Sequence, residues 1–280
     1  MRRALPLAWH AEFNDPRLAR VYDVECPWGP DDDYFLAAVA ESENEASAVD
    51  GLPGACVLDL GCGTGRLTLA ISAAGHRVAG VDPARASLDL ARTKPGAERV
   101  RWIEGASVLL PSCCFDVAVL TSHVAQCLVN DEEWAAVLGD LRRALVPGGR
   151  LVFDSRDPAA RCWERWNPRD SRRRLALSDG GVVTTWTAVD DVRDGTVTFT
   201  RHFRFADETT GETTDEASDE GAGDSAGETL RSVSTLRFRT EEELRESLRL
   251  AGFSVARIDG GWGGEPLGGG DGEFLVHARR

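Results

Sequence analysis

The chain has no apolar run long enough to cross a bilayer, and its first residues lack the apolar core of an export signal. Arg2 and Arg3 are followed too soon by Pro6, His10 and Glu12. Positive charge is also short: 32 Lys and Arg stand against 46 Asp and Glu, a formal net charge of −14. Nine of the acids lie between Arg204 and Arg231 with no base among them, so the rest of the chain is only mildly acidic. No basic stripe is present, and a nucleic-acid partner is not expected, because sequence-independent binding depends on neutralising phosphates. Neither is a membrane partner. Cysteine is present, seven times, but not in CxxC pairs: Cys113 and Cys114 are adjacent, and no His/Cys group has zinc-site spacing, so no metal is expected. Cys56, Cys62, Cys113, Cys114 and Cys127 fall in or beside expected strands, which reads as buried free thiols in a reducing, cytoplasmic setting.

What the chain does have is a glycine turn in a strand-to-helix setting. Val57, Leu58 and Leu60 are apolar and strand-forming, Gly61, Gly63 and Gly65 alternate, and Leu67, Ala70, Ile71 and Ala74 then follow helical spacing. Glycines let a backbone turn sharply and approach a ligand closely, and a helix start offers free N–H groups. The dinucleotide fingerprint wants its third glycine one position later, where Arg66 stands. Asp59, two residues before the first glycine, is a poor neighbour for a pyrophosphate and a good one for a ligand ammonium group. His76 to Asp82 reads as a second strand ending in an acid, 21 positions after Gly61, a distance at which a carboxylate accepts from ribose hydroxyls.

The Asp59-x-Gly61-x-Gly63-x-Gly65 pattern resembles the first motif of the class I S-adenosylmethionine (SAM)-dependent methyltransferases. The resemblance is close over Val57 to Asp154 and looser in the flanks, and it points to the small-molecule branch. One lysine, Lys94, against many arginines fits a GC-rich genome, so the actinobacterial type. The family implies an α/β fold, a Rossmann-like seven-stranded mostly parallel sheet, with SAM as cofactor and S-adenosylhomocysteine as product. It implies cofactor contacts from Asp59, Gly61, Cys62, Gly63, Gly65, Asp82, Pro83 and Thr121. Relatives often read Gly-Asp-Ala after the third strand; here Gly105–Ala106–Ser107 departs from that, leaving the adenine to Ser107, to backbone near Ala106, or to packing on Trp102 or Ile103.

The remaining chain fits around this core. Asn14–Asp15–Pro16 starts a helix running to about Val24, and a second follows from Asp31. In the resembled family such helices lie over the cofactor, which makes Tyr22 and Trp28 lid candidates. Strands are expected at Arg99–Glu104, Cys114–Leu120 and Leu151–Asp154. A helix capped by Asn130, with Trp134, Val137, Leu138, Leu141 and Leu145 on its apolar face, is expected to be ended by Pro147–Gly148–Gly149. Asp157 to Arg174, rich in Arg and Trp, reads as a helical loop segment. Gly181–Val189, Thr196–Phe205 and Leu230–Arg239 alternate as an antiparallel β meander, with a hairpin at Asp194–Gly195 and an acidic loop expected to be disordered. Thr240 and Glu243 form a capping box for a helix ending at Gly252, before strands at Phe253–Ile258 and Glu273–Ala278. The expected division is an N-terminal helical lid over 1–54, a SAM-binding core over 55–155, an inserted sheet over 156–239 with the acidic loop at 206–228, and completion of the core sheet by 240–280. The added sheet permits a homodimer.

Methyl transfer from a sulfonium needs alignment first and a base second. His123 follows the fourth strand at the ligand edge and is the candidate for taking a proton from an oxygen or nitrogen nucleophile. His202, in the added sheet, is a weaker candidate. Gln126, Asp154, Arg156 and Asp157 are candidates for the substrate side. The motifs of nucleobase-amine and pyrimidine-ring methylation are missing. Two alternatives stay open on the sequence: a SAM-binding or scaffold protein with a decayed site, and an NAD-dependent oxidoreductase.

Overall fold

Val57 and Leu58 point to opposite faces of strand β1 (Cys56–Leu60), and both are fully buried. A strand covered on both sides belongs in the middle of a layered α/β sheet, and that is its place in the computed structural model, which describes residues 11–41, 49, 52–206 and 228–280. The other strands of this sheet are β2 (Arg77–Asp82), β3 (Arg101–Glu104), β4 (Phe115–Leu120), β5 (Leu145–Arg156), β10 (Ser254–Asp259) and β11 (Glu273–Arg279). Their order is β10-β11-β5-β4-β1-β2-β3. Neighbours from β5 to β3 run parallel, while β11 is antiparallel to both β5 and β10. From β1 the chain builds outward to β2 and β3, then returns to β4 on the other side. That reversal opens a crevice at the carboxyl ends of β1 and β4, the usual ligand position in such sheets.

Helices cover both faces. α3 (Pro30–Ala40) and α4 (Arg66–Ala73) pack Phe35, Val39, Leu67 and Ile71 against Val57, Val117, Val119 and Val152. α7 (Asp131–Ala144) and α9 (Glu241–Leu250) cover the opposite face, where Trp134, Leu138 and Leu248 meet Leu58, Leu120 and Phe153. Trp134 Nε1 donates to Ser247 Oγ at 2.9 Å, tying these two helices together. α5 (Arg85–Thr93) follows β2, and the short α6 (Val124–Cys127) follows β4. Caps fall where the residue types want them. Asp15 caps α2 (Pro16–Glu25), Asn130 caps α7, and Thr240 and Glu243 form a reciprocal capping box on α9.

A second, four-stranded antiparallel sheet has the order β6-β7-β8-β9: β6 (Arg173–Ala176), β7 (Val182–Arg193), β8 (Thr196–Phe205) and β9 (Thr229–Arg237). Its inner face packs Val183 and Phe203 on Leu18 and Val21 of α2, and Phe199, Leu236 and nearby Phe238 on Trp163 and Trp166. The short helices α1 (Ala11–Asn14) and α8 (Pro168–Ser171) complete the order. β6 corrects the reading of a helical loop up to Arg174. Its sequence, Arg-Arg-Leu-Ala, holds one inward apolar residue, Leu175, which suffices for a short edge strand paired only to β7.

No disulfide joins any of the seven cysteines, all of which are among the described residues; Cys62 is buried, but Cys113 is exposed, which corrects its expected burial. Among the described residues, no helix is long and apolar enough to cross a membrane. The acidic loop expected at 206–228 lies, from 207 to 227, outside the described residues.

Candidate active site

The glycine turn makes the floor of a cavity. Gly61, Gly63 and Gly65 all have positive φ, +83°, +53° and +79°, a region that favours glycine. A Cβ on Gly61 would come within 2.5 Å of Val124 and one on Gly65 within 2.6 Å of Trp102, whereas at Gly63 nothing lies within 4 Å. Gly63 instead borders the cavity, together with Asp59, Gly61, Cys62, Asp82 and Thr121. Asp82, at the end of β2, accepts from Gly63 N–H at 2.8 Å and Ala84 N–H at 2.7 Å. Asp59 accepts from Thr68 Oγ1 at 2.6 Å, while its other oxygen, Oδ1, is buried without a hydrogen-bond partner. Burial pushes the Asp59 carboxyl up to about 7, and that of Asp82 up to about 6. An unpartnered buried carboxylate oxygen beside a glycine cradle is what a ligand ammonium group would satisfy, so these residues fit the SAM that the motif implies.

The N-terminal helices close over this cavity. Tyr22 and Phe13 border it from above. Lys94 Nζ sits 2.7 Å from Asp23 Oδ2 and donates to the Thr64 carbonyl at 2.8 Å, which pins α2 to the glycine turn. Arg66 pairs with Asp32 at 3.0 Å and Asp31 at 3.3 Å and donates to the Pro27 carbonyl at 3.0 Å, which holds the start of α3. Trp28 borders neither this cavity nor the next; it is 44% exposed, and its Nε1 donates to Asp33 at 2.8 Å.

A second cavity of about 230 Å³ adjoins the first. Phe13, Tyr22, Ser122 and Cys127 border both. Its far wall comes from the antiparallel sheet and the loop before it: Trp166, Thr187, Phe199, Arg201, Ser234 and Leu236. His123, Arg156 and Glu12 also border it. Arg156 lies over the Trp166 ring, 5.4 Å from its centroid, and donates to Gln126 Oε1 at 3.0 Å. Gln126 is fully buried and borders neither cavity, so it positions Arg156. Arg201 pairs with both Glu12 and Glu25, joining α1 and α2 to β8.

His123 has φ +64° directly after Ser122 at +54°. Its backbone N–H donates to both oxygens of Asp154, at 3.1 and 3.0 Å, and its Nε2 lies 3.0 Å from Glu273 Oε2. Burial, aided by the Arg156 guanidinium, pulls the His123 ring down to about 4, and burial pushes Glu273 up to about 7.

The structure therefore gathers Asp59, Gly61, Cys62, Gly63, Asp82 and Thr121 at one cavity, His123 and Arg156 at its neighbour, and Tyr22 at both. Gly65 caps α4 beneath the turn. Pro83, Ala106 and Ser107 do not border the first cavity, and the Ser107 hydroxyl donates to Asp140 at 2.8 Å. Asp157 caps the short turn that follows β5. His202 stacks on Trp186, 4.9 Å between centroids, and borders neither cavity. Sequence reasoning missed Glu12, Arg201, Trp166 and Glu273. Only Arg201 left a signal: it shares strand parity with the buried Val197, Phe199 and Phe203.

Comparison with known proteins gives the family and the fold. Residues 57–149 match the family described as methyltransferase domain. The chain is 31% identical over 231 residues to a cypemycin N-terminal methyltransferase of a Streptomyces species, a match covering 82% of this chain and 84% of that protein. The chain belongs to the class I SAM-dependent methyltransferases. Among solved structures, the CcbJ methyltransferase of Streptomyces caelestis superposes with a TM-score of 0.65 at 20% identity, over 96% of this chain and 97% of that one. The sugar N-methyltransferase KedS8 of a Streptoalloteichus species superposes with a TM-score of 0.67 at 16% identity, over 99% and 96%. At such identities these likenesses show the fold alone. As a member of this family the methyltransferase takes SAM as its cofactor, and the NAD-dependent and non-catalytic alternatives give way to an enzyme of this family.

Proposed function

We propose that this methyltransferase methylates an oxygen or nitrogen nucleophile on a small molecule held in the second cavity, with His123 taking the departing proton. The observation that carries this reading is the shared wall: Phe13, Tyr22, Ser122 and Cys127 border both cavities, so an acceptor in one adjoins a cofactor in the other. In this reading Asp82 meets the ribose hydroxyls and Asp59 meets the ammonium group. The turn from Gly61 to Gly63 approaches the amino-acid part, and Thr121 closes the edge. When bound, SAM supplies a methyl group already activated by its sulfonium. The residues then work mainly by alignment, which can account for about 7–11 kcal/mol of a barrier in good cases.

The walls suggest the acceptor. Trp166, Phe199, Tyr22 and Phe13 offer aromatic surface, while Glu12, Arg156 and Arg201 offer charge. An amphiphilic molecule of modest size suits that mixture. The Streptomyces relative is named an N-terminal methyltransferase, so primary and secondary amines, short peptides included, are the first acceptors to test. Incubation with SAM and a panel of amines, hydroxylated compounds and nucleic acids tests the reading. The expected result is acceptor-dependent S-adenosylhomocysteine with an acceptor mass raised by one methylene. Turnover on nucleic acid alone would contradict it. The homodimer through the added sheet stays part of this proposal, and light scattering giving the mass of one chain would remove it.

A further inference from the structure

His123 can take a proton only through a ring nitrogen that is free to accept one. Its backbone is held in an uncommon conformation: Ser122 and His123 both lie in the left-handed region, at +54° and +64°. Consecutive non-glycine residues there are strained, and such strain persists where surroundings over-determine it. The surroundings here are the buried Asp154 carboxylate, whose two oxygens take the His123 N–H at 3.1 and 3.0 Å. The ring is held separately. Nε2 lies 3.2 and 3.0 Å from the two oxygens of Glu273, at the start of β11, and 3.4 Å from Asp154 Oδ2. Nδ1 makes no hydrogen bond among the described residues. Of the three, His123 alone borders the acceptor cavity.

From this geometry we infer that Glu273 is a positioning residue: its carboxylate holds the Nε2–H tautomer of His123, leaves Nδ1 to take the acceptor's proton, and disables Nδ1 when it is itself protonated. The inference rests on the reading of His123 given above. A neutral imidazole carries one N–H. An ionised Glu273 can only accept, so the ring proton sits on Nε2 and Nδ1 keeps its lone pair. A protonated Glu273 donates to Nε2, so the ring proton must sit on Nδ1, which then cannot accept another. In turnover the acceptor's proton goes to Nδ1, and the imidazolium stays paired with Glu273 until it returns that proton to water.

Other charged groups act on the pair. Asp154 and Arg156 face it from β5, Asp271 from the loop before β11 and Asp31 from α3; the thiols of Cys127 and Cys162 also lie near. Burial is the largest influence on Glu273, and it sets the change of state at about 7. Glu273 is ionised above that value, so activity rises as pH rises through it.

Two measurements test the inference. The first reads tautomers in the full chain without cofactor or acceptor, by nitrogen-15 NMR of the histidine rings, with His123 assigned from His123→Gln. The expected result is Nε2–H at pH 8 and Nδ1–H at pH 6; Nδ1–H at pH 8 would overturn the inference. The second is the pH profile of kcat with a methylated acceptor. Wild type should rise through about pH 7. Glu273→Gln should lose that limb and about tenfold or more in kcat, within the range of acid–base effects, and Glu273→Asp should recover part of both. Each variant is first checked for retained S-adenosylhomocysteine binding. An unchanged profile in a Glu273→Gln enzyme that binds normally would overturn the inference and leave the methyltransferase reading intact. Activity abolished by a chelator and restored by a divalent metal would also overturn it. Failure to methylate any acceptor would count against the proposed function, while the tautomer result would still decide the role of Glu273.

Discussion

Thr68 donates to one oxygen of Asp59 at 2.6 Å and leaves the other buried with nothing to accept from. The half-satisfied carboxylate makes Asp59 both a cost to the free protein and an anchor for a cation. Its folded pKa, about 7, is raised above the ordinary carboxylate value by burial. A raised folded value contributes stability that is complete below the unfolded pKa, near 4, and lost as pH rises through about 7. The free methyltransferase should therefore melt lower at pH 8 than at pH 5, and Asp59→Asn should flatten that difference. Binding runs the other way. A ligand ammonium favours the ionised carboxylate, so S-adenosylhomocysteine affinity should rise from pH 5 to pH 7, with proton release visible as a buffer-dependent enthalpy. Asp59→Asn should weaken binding at pH 8 by roughly tenfold or more, the scale of a charged hydrogen bond. A pH-independent affinity in wild type would contradict this role.

Asp82→Ala removes the acceptor for the Gly63 and Ala84 N–H groups as well as the proposed ribose contact. Calorimetry should show S-adenosylhomocysteine bound roughly ten- to a hundredfold more weakly, for a loss of about 1.5–3 kcal/mol. Affinity equal to wild type would remove Asp82 from the cofactor site.

Gly63 and Gly65 separate the two duties of the turn. Alanine at Gly65 would place its Cβ 2.6 Å from Trp102 at φ +79°, so denaturant titration should show a loss of about 1–3 kcal/mol. Alanine at Gly63 meets no neighbour within 4 Å but enters the cavity, so it should reduce S-adenosylhomocysteine binding more than stability. The reverse ranking would contradict the account of the turn.

Arg201 is the shared partner of Glu12 and Glu25, and all three are largely enclosed, with side-chain exposures of 16%, 4% and 18%. Arg201→Met leaves the buried Glu12 and the half-buried Glu25 without their shared cation. Stability at pH 8 should fall by about 3–5 kcal/mol, the usual result of breaking a buried pair from one side. Part of the loss should return on acidification, because burial already raises the Glu12 carboxyl and the variant lacks the guanidinium that opposes that rise. A loss that does not shrink on acidification would mean that packing on Phe203, and not charge, holds Arg201.

Local signals carried much of this structure, and distance in the chain hid the rest. Val57 to Gly65 announced itself because the strand, turn and helix are contiguous, and Thr240 with Glu243 marked a helix start within four residues. β6 was hidden because an edge strand needs few apolar positions. Trp28 looked like a lid because aromatic loops often are, but its indole is held by Asp33 five residues on. The cluster of His123, Asp154 and Glu273 spans 31 and 150 positions, and only the order β11-β5-β4 brings the three strand ends together.

The account depends first on the cavity at the glycine turn holding the cofactor. Calorimetric titration of the purified chain with S-adenosylhomocysteine at pH 8, with NADH as control, measures this most directly. The account predicts binding of S-adenosylhomocysteine at micromolar concentration, weakened by both Asp59→Asn and Asp82→Ala, and none of NADH. NADH binding, or S-adenosylhomocysteine binding indifferent to both substitutions, would contradict it.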